Sequence, residues 1–469
     1  MSLARGTRFE LARVTIEFRT PMRVGAGGWD PLHDAFFVTD ANGLPALPGS
    51  SIAGALRHAA ADAWGEADAV RAVFGFQQRT DGRASRLEVS WGQVHGNKDH
   101  PVPFLGADQA DDEVLAFLSA GVIRDHVRID ARGTADDRGK FDELMVPAGA
   151  RFTFELVLHE GSERSMADVL SLLIRPSMRL GAGSRKGLGR FEVVRAAGRR
   201  FDLTDPSSRQ AFGRLPRGLH EPVSDGVFEE LSIDSSSGGD RWRTGTLVLE
   251  PTDFWMIGRG DPHRPEHERR QAGSDRVQYV DIVPAEARRV VWEDGQGKLT
   301  EPEPTVPASA IKGALRHRVA YHARRAGGEF WSEGLEAGGG VTAADRVAEV
   351  NDLFGTIRDE DEGQPGRLLL SDGRATKYRW GRLDHVSLDR FTQGQVDHLL
   401  FSEAPLYGGQ IELELAVDTQ GLGDAPREAL RQALDDLCHQ RLSIGAGGSR
   451  GHGHCHGRIE WSGGRGLDA

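Results

Sequence analysis

Two glycine-rich stretches carry cations at matching places. Gly181-Ala-Gly-Ser-Arg-Lys-Gly-Leu-Gly189 sets Arg185 and Lys186 between glycines, and Gly445-Ala-Gly-Gly-Ser-Arg-Gly-His-Gly453 does the same with Arg450. Glycine reaches positive φ and has no Cβ to block a phosphate, so Gly181, Gly183, Gly445 and Gly447 would let backbone approach an anion closely. A tight turn before an edge strand is the plain structural alternative. Neither stretch closes with Gly-Lys-Ser/Thr, so neither is a Walker loop. A second anion-friendly feature lies at Pro48-Gly-Ser-Ser and Pro307-Ala-Ser-Ala. Each precedes an apolar helical stripe: Ile52, Leu56, Ala59 and Ala63 in one case, Ile311, Leu315 and Val319 in the other. Free N–H groups at a helix start attract an anion. Ser50 or Ser51 is expected as N-cap, with Ser309 in the corresponding stretch. Arg57, Arg316 and Lys312 place positive charge on these helices, which can equally be a solvated cationic face. The last cluster is His452-Gly-His-Cys-His456. Zinc uses such ligands, but no second ligand group accompanies it, so no metal is assigned there. No Ser-His-Asp arrangement, nucleophile elbow or dinucleotide fingerprint is present.

These features come in pairs because the chain is a tandem repeat. Pro48-Gly-Ser-Ser-Ile-Ala-Gly-Ala-Leu-Arg-His58 answers Pro307-Ala-Ser-Ala-Ile-Lys-Gly-Ala-Leu-Arg-His317, and His126-Val-Arg-Ile-Asp130 answers His385-Val-Ser-Leu-Asp389. The glycine stretches follow in the same order, and Val73-Phe74-Gly75 matches Leu353-Phe354-Gly355. A period this long means two domains, each with its own core, rather than a solenoid. The expected division is a first domain over 1–215, a linker over 216–242 ending in Asp234-Ser-Ser-Ser-Gly-Gly-Asp240, and a second domain over 243–469. Each unit opens with an alternating strand (Phe9–Phe18, Thr244–Leu249) and then a helix. It continues through a polar middle to a late strand (Arg151–His159, Gln410–Val417) and a second helix (Met166–Ile174, Arg427–Leu437). After the glycine stretch comes a last strand. This uneven alternation indicates an α+β unit of ferredoxin-like type.

Composition bounds the partners. The 469 residues carry 58 Lys+Arg against 70 Asp+Glu, a net charge of −12, with 38% hydrophobic residues. That is a globular chain, acidic overall, so any nucleic-acid site must be a local field rather than the sum. Positive charge is nearly all arginine. Cys438 and Cys455 alone exclude a disulfide scaffold. No apolar run is long enough to span a membrane, and the N-terminal residues lack a secretory pattern. A cytoplasmic protein without membrane contact is expected.

The paired motifs resemble the signature of the RAMP (repeat-associated mysterious protein) superfamily. The stretch from His126 to Glu155, and its second version from His385 to Glu414, is similar to the thumb hairpin and following strand of backbone subunits in type III CRISPR effector complexes. The resemblance spans most of both units and implies two fused backbone subunits. It implies two modified RNA-recognition-motif domains with thumb-hairpin insertions that hold guide RNA through the helix starts, the glycine loops and His126, Arg128 and His385. Complementary target RNA and other backbone, small and large subunits would be partners. In several such subunits an aspartate in the loop after the first strand cuts target RNA with a divalent cation, Mg2+ or Mn2+, by attack of the neighbouring 2′-hydroxyl. The family pattern places that aspartate at Asp34, with Asp30 as a near alternative. In the second unit, Val290-Val-Trp-Glu-Asp-Gly295 aligns with the strand and turn of Phe36–Gly43, which sets Arg288 opposite Asp34. Asp281 is then the candidate, ahead of Asp275 and Asp261. The charged loop from Arg259 to Arg270 can instead be an insertion that contacts a neighbour. A structural RNA-binding subunit without cleavage, or an endoribonuclease that processes precursor guide RNA, are the alternative functions.

Overall fold

The computed structural model describes residues 6–25, 27–28, 32–106, 111–129, 135–233, 241–258, 260, 280–328, 347–356, 363–464 and 466–467, without the side chains of 128–129, 135–138 and 397–399. Asp30, Asp261, Asp275 and the Arg128 side chain therefore lie outside the described residues, as does most of the loop from Arg259 to Arg270.

The first half runs β1 (Arg8–Phe18), α1 (Gly49–Trp64), β2 (Leu87–Val89), a long hairpin of β3 (Val122–Ile129) and β4 (Ala135–Met145), β5 (Arg151–His159), α2 (Met166–Leu173) and β6 (Phe191–Asp202). Its sheet has the order β6-β1-β5-β2, with every neighbouring pair antiparallel. Alternate residues of a strand face one side. Accordingly Val14 and Ile16 of β1 join Phe152, Phe154 and Leu156 of β5 in a core closed by Ile52 and Leu56 of α1 and by Val169, Leu170 and Leu173 of α2.

The second half repeats the plan. It runs β7 (Trp242–Pro251), a short hairpin of β8 (Val290–Glu293) and β9 (Gln296–Leu299), α3 (Ala308–Ala326), β10 (Leu368–Leu370) and β11 (Gly373–Thr376). Then come the hairpin of β12 (Leu383–Leu388) and β13 (Gln395–Glu403), β14 (Gln410–Asp418), α4 (Asp424–Cys438) and β15 (Cys455–Trp461). The sheet order is β15-β7-β14, with β10 and β11 both on the far edge of β14. Ile311, Leu315 and Val319 of α3, spaced to share one helix face, pack with Leu430 and Leu434 of α4 on Leu247, Leu249, Ile411, Leu413 and Leu415.

Ladder registers fix which residues correspond. Val38 donates to Val24 O and receives Ala46 N; Ala285 donates to Ile257 O and receives Thr305 N. Val38 and Ala285 are therefore equivalent, and so are Ala46 and Thr305. The β8–β9 hairpin lies between Ala285 and Thr305, where the first half has only a short turn, so it is an insertion. The sequence alignment of Val290–Gly295 with Phe36–Gly43 is thus corrected. A Val-Val-Trp run before Asp-Gly has the same strand-then-turn signal as Phe36–Gly43, and periodicity cannot tell an inserted hairpin from an equivalent one.

That hairpin straps the halves together. Val290 N donates to Ala148 O at 3.0 Å, Trp292 Nε1 to Gly149 O at 2.8 Å and Gly297 N to Asn97 O at 2.7 Å. The Arg151 guanidinium lies 4.5 Å from the Trp292 ring centroid, a cation–π contact. Val290 is counted in the buried core of the first half, with Trp292 and Leu299 packed against it.

Candidate functional site

Each long hairpin leaves its sheet through the same side-chain cluster. In the first half His126 of β3 stacks on Phe141 of β4, with centroids 4.7 Å apart, and its Nε2 lies 3.6 Å from Glu143. Glu143 also faces Lys186 at 3.6 Å and Arg23 at 3.4 Å, and Lys186 Nζ sits 4.7 Å from the Phe141 centroid. In the second half His385 stacks on Phe401 at 4.8 Å and its Nε2 lies 2.8 Å from Glu403, which also pairs with Arg450 at 3.3 Å. Both glutamates are buried. Burial alone would raise the carboxyl pKa. His126, Lys186 and Arg23 overcome that and hold Glu143 at about 2. The glycine-loop cations at Lys186 and Arg450 thus lock the loop to the base of its hairpin. Sequence reasoning picked out His126, His385, Lys186 and Arg450 but missed Phe141, Glu143, Phe401 and Glu403. The signal was present as Phe-Asp-Glu143 and Phe-Ser-Glu403, one Phe-x-Glu in each half.

The candidate aspartates are attached to the residue between that Phe and that Glu. Asp34 Oδ2 accepts Asp142 N at 3.0 Å, and Asp34 N donates to Asp142 Oδ1 at 2.9 Å. Asp281 Oδ2 accepts Ser402 N at 2.7 Å and Ser402 Oγ at 2.9 Å. The following residue repeats the match: Leu144 N donates to Ala35 O, and Ala404 N to Ile282 O. Asp34 and Asp281 are therefore equivalent in the fold, both exposed. Arg288 is not the counterpart. The Ser402 amide and hydroxyl hold the Asp281 carboxyl below its ordinary value. The neighbours differ. Asp142 is a second carboxylate, itself lowered by the Asp34 N–H and by His33, whose Nδ1 lies 3.2 Å from it; Ser402 takes its place in the second half.

The helix starts differ from expectation. Helix α1 begins at Gly49 with Pro48 as N-cap, and neither Ser50 nor Ser51 caps it through its side chain. Proline presets the backbone and brings no N–H of its own to satisfy. Ser50 and Arg57 are exposed and Ser51 half-buried. At α3 the Asp372 carboxylate accepts Ala308 N at 2.9 Å, so this helix start, with Ser309 beside it, already holds an anion from the chain itself. Lys312 is buried, donating to Arg185 O and Leu368 O, each at 2.9 Å. Burial, with Arg185 and Arg316 nearby, pushes its ammonium down to about 7. Arg185 in turn donates to Gly366 O. Arg185 and Lys312, expected to face RNA, instead join the two halves. The packing of two lysine and arginine stems across a domain contact is invisible to a search for charge.

The two glycine loops have the same backbone: Gly181, Gly183, Gly187 and Gly189 match Gly445, Gly447, Gly451 and Gly453, all at positive φ. Their surroundings differ. A Cβ on Gly187 would sit 2.4 Å from Ala308 Cβ, whereas one on Gly451 would meet nothing within 4 Å. The first loop is covered by the second half, and the second loop is open. The histidine cluster scatters: His452 tilts against Phe254 at 5.9 Å, while His454 and His456 both bond Gln440. No group of three or more metal-ligating side chains gathers among the described residues.

The family model of the RAMP superfamily matches residues 15–192 and 252–456. These two stretches take in most of the sequence and one falls in each half, so the chain belongs to the RAMP superfamily as two tandem units. Among solved structures it is similar to a chain of "Cryo-EM structure of the Type III-B Cmr-beta bound to cognate target RNA", at 16% identity and a TM-score of 0.30. That likeness covers 42% of this chain and 62% of the other, less than two thirds of its length. No curated protein matches the chain. No helix among the described residues is long and apolar enough to cross a membrane.

Proposed function

We propose that the chain is a guide-RNA-binding backbone subunit of a type III CRISPR ribonucleoprotein and that it cleaves complementary target RNA beside Asp34, with Asp281 at a second, weaker site. The observation that carries this reading is the equivalent placement of Asp34 and Asp281 at the roots of the two hairpins. Membership in the RAMP superfamily supports the RNA-binding class. The strand order β6-β1-β5-β2, repeated as β15-β7-β14-β10, supports the ferredoxin-like reading, and the paired hairpins support the thumb reading. Guide RNA would run along the open second glycine loop, the start of α1 and the hairpin roots, and each hairpin would reach the target strand. Other subunits of the complex would flank the chain in the cytoplasm.

In the cleavage step the 2′-hydroxyl oxygen bonds to the adjacent phosphorus and the P–O5′ bond breaks. A 2′,3′-cyclic phosphate and a 5′-hydroxyl result, with the 2′ proton passing to a base and a proton supplied to the leaving oxygen. Asp34 is held by a backbone N–H and is free to accept a hydrogen bond from the 2′-hydroxyl; alignment of the attacking oxygen supplies much of the rate. A divalent cation suits the first site by donor type. Asp34 and Asp142 are hard oxygen donors, and Mg2+ is commonly held by one or two carboxylates with substrate phosphate and water. Such an ion would supply charge neutralisation at the phosphate. The second site offers Asp281 with a serine, a poorer donor set. The reading is tested in the assembled complex with guide and complementary RNA. The Asp34→Ala, Asp281→Ala double variant should keep guide binding and lose the cuts made at this chain. Cutting at every position by the double variant overturns it.

A further inference from the structure

The second half buries charge where the first half buries hydrocarbon. Helices α1 and α3 correspond without a gap from Pro48 and Pro307 onward, so Arg318, His322 and Arg325 stand where Ala59, Ala63 and Glu66 stand. Leu180 N donates to Gly189 O as Ile444 N does to Gly453 O. Upstream of both the halves stay in step, since Leu170 and Leu173 of α2 are buried like Leu434 and Leu437 of α4. Asp436 therefore stands where the fully buried Leu172 stands, and Arg441 where Ser177 stands. Ala, Ala, Leu and Ser have given way together to Arg, His, Asp and Arg. The glycine loops, hairpin roots and helix starts are common to both halves, whereas this cluster is confined to the second.

One carboxylate orders the cluster. Asp436 is 5% exposed. Its Oδ2 accepts from Arg318 Nε and lies 2.7 Å from His322 Nε2, and its Oδ1 accepts Arg441 Nε at 2.6 Å. Burial would raise its carboxyl, but Arg441, His322 and Arg318 overcome that and hold it at about 2. Asp435 is engaged as well, by a terminal nitrogen of Arg441 and by His439 Nδ1 at 3.0 Å. Both acids thus serve to fix guanidinium groups in place.

These groups wall an open cavity of about 550 Å³ between α3 and the end of α4, the size of a small-ligand cleft. Three arginines, Arg318, Arg325 and Arg441, meet two aspartates there, a net positive spot on an acidic chain. Arg318 is tied to Asp436 through Nε, which leaves its terminal nitrogens for a ligand, and it lies 4.7 Å from the Tyr321 ring centroid. His322 is 6% exposed, and its Nδ1 is buried with no hydrogen-bond partner among the described residues. Buried polar atoms are normally satisfied, so this nitrogen points to a group from outside the chain. Replacing a buried ion cluster by hydrocarbon is often neutral or stabilising, and the first half has hydrocarbon in the same frame. Stability therefore does not account for the charged set. Fixed guanidinium groups suit the several oxygens and multiple charge of a phosphate.

We propose that this cavity binds the phosphate of a small molecule, and that a nucleoside phosphate is the class that fills it. Arg318, Arg325 and Arg441 would hold the phosphate, with the nucleoside toward Tyr321 and Gln432. The site shares no residue with Asp34 or Asp281, so it stands or falls separately from RNA cleavage.

Isothermal titration calorimetry of the full chain, without guide or target RNA, tests this with inorganic phosphate and with AMP, GMP, CMP and UMP in turn. At least one nucleotide should bind, and Arg325→Glu should weaken it at least about tenfold, as loss of a charged hydrogen bond does. A fourfold variant carrying Arg318→Ala, His322→Ala, Asp436→Leu and Arg441→Ser installs the residues of the first half. It should lose the nucleotide while its circular dichroism is unchanged. Arg325 is exposed, so its variant carries the test if the fourfold one fails to fold. Inorganic phosphate binding as tightly as the nucleotides would support the site and name the free ion as its source. Absence of binding by all five probes, nucleotide binding unchanged in Arg325→Glu, or retention of a single-stranded RNA oligonucleotide with no mononucleotide bound would each overturn the proposal.

Discussion

The two aspartate sites share a backbone and differ in company. Asp34 and Asp281 are fixed by the same main-chain bonds to the root of a hairpin. Around Asp34 stand Asp142 and His33; around Asp281 stands Ser402. The frame places a carboxylate in both halves, but among the described residues a second carboxylate stands beside it only in the first; Ser402 and Arg382 attend Asp281 instead. Placement and chemistry are thus separable, and each can be altered without the other.

The largest expected effect comes from making the first site resemble the second. Asp142→Ser should slow the cut assigned to Asp34 by at least about 10- to 100-fold, since it removes one of the two carboxylates that would hold the cation and loss of even an outer-shell partner costs that much, while the cut assigned to Asp281 is unchanged. Gel mapping of product ends reads both at once. Next is the strap, which only the second half possesses. Trp292→Ala removes an indole hydrogen bond, a cation–π contact and packing on the first core, and should cost about 3 kcal/mol. Calorimetry should then resolve two transitions where the parent shows one.

A smaller effect follows from Glu143. Its folded pKa of about 2 lies below the ordinary glutamate value of 4.5. A depressed carboxyl stabilises the fold above pH 4.5 and loses that contribution as pH falls toward 2, an effect of order 2–3 kcal/mol. Glu143→Gln should flatten the stability profile across that window. The smallest contrast is between glycine loops. Gly187→Ala and Gly451→Ala both place alanine at positive φ, at a cost of about 1 kcal/mol each, but only the first also strikes Ala308. Gly187→Ala should lower the melting temperature further than Gly451→Ala; equal losses would mean that the first loop is not covered by the second half.

Much of this comparison was legible in the sequence because duplication writes each motif twice. The glycine loops, helix stripes and hairpin histidines correspond as their residues indicate. The register at Asp281 was harder. The β8–β9 insertion imitates the strand and turn of Phe36–Gly43, and only the bonds of Leu144 to Ala35 and of Ala404 to Ile282 resolve it. Glu143 and Glu403 act across strands, so their role needs pairing that sequence spacing does not carry. Lys312 and Arg185 read as exposed cations because type is visible in sequence and burial between domains is not. The serines after Pro48 read as caps, yet the helix starts one residue earlier.

The equivalence of the two aspartates is tested most directly by single substitution in the assembled complex, with product ends mapped on one labelled complementary RNA. Asp34→Ala should erase one cut and Asp281→Ala a different, fainter one, with guide RNA retained in both. Loss of the same cut in both variants, or of neither, would contradict the account.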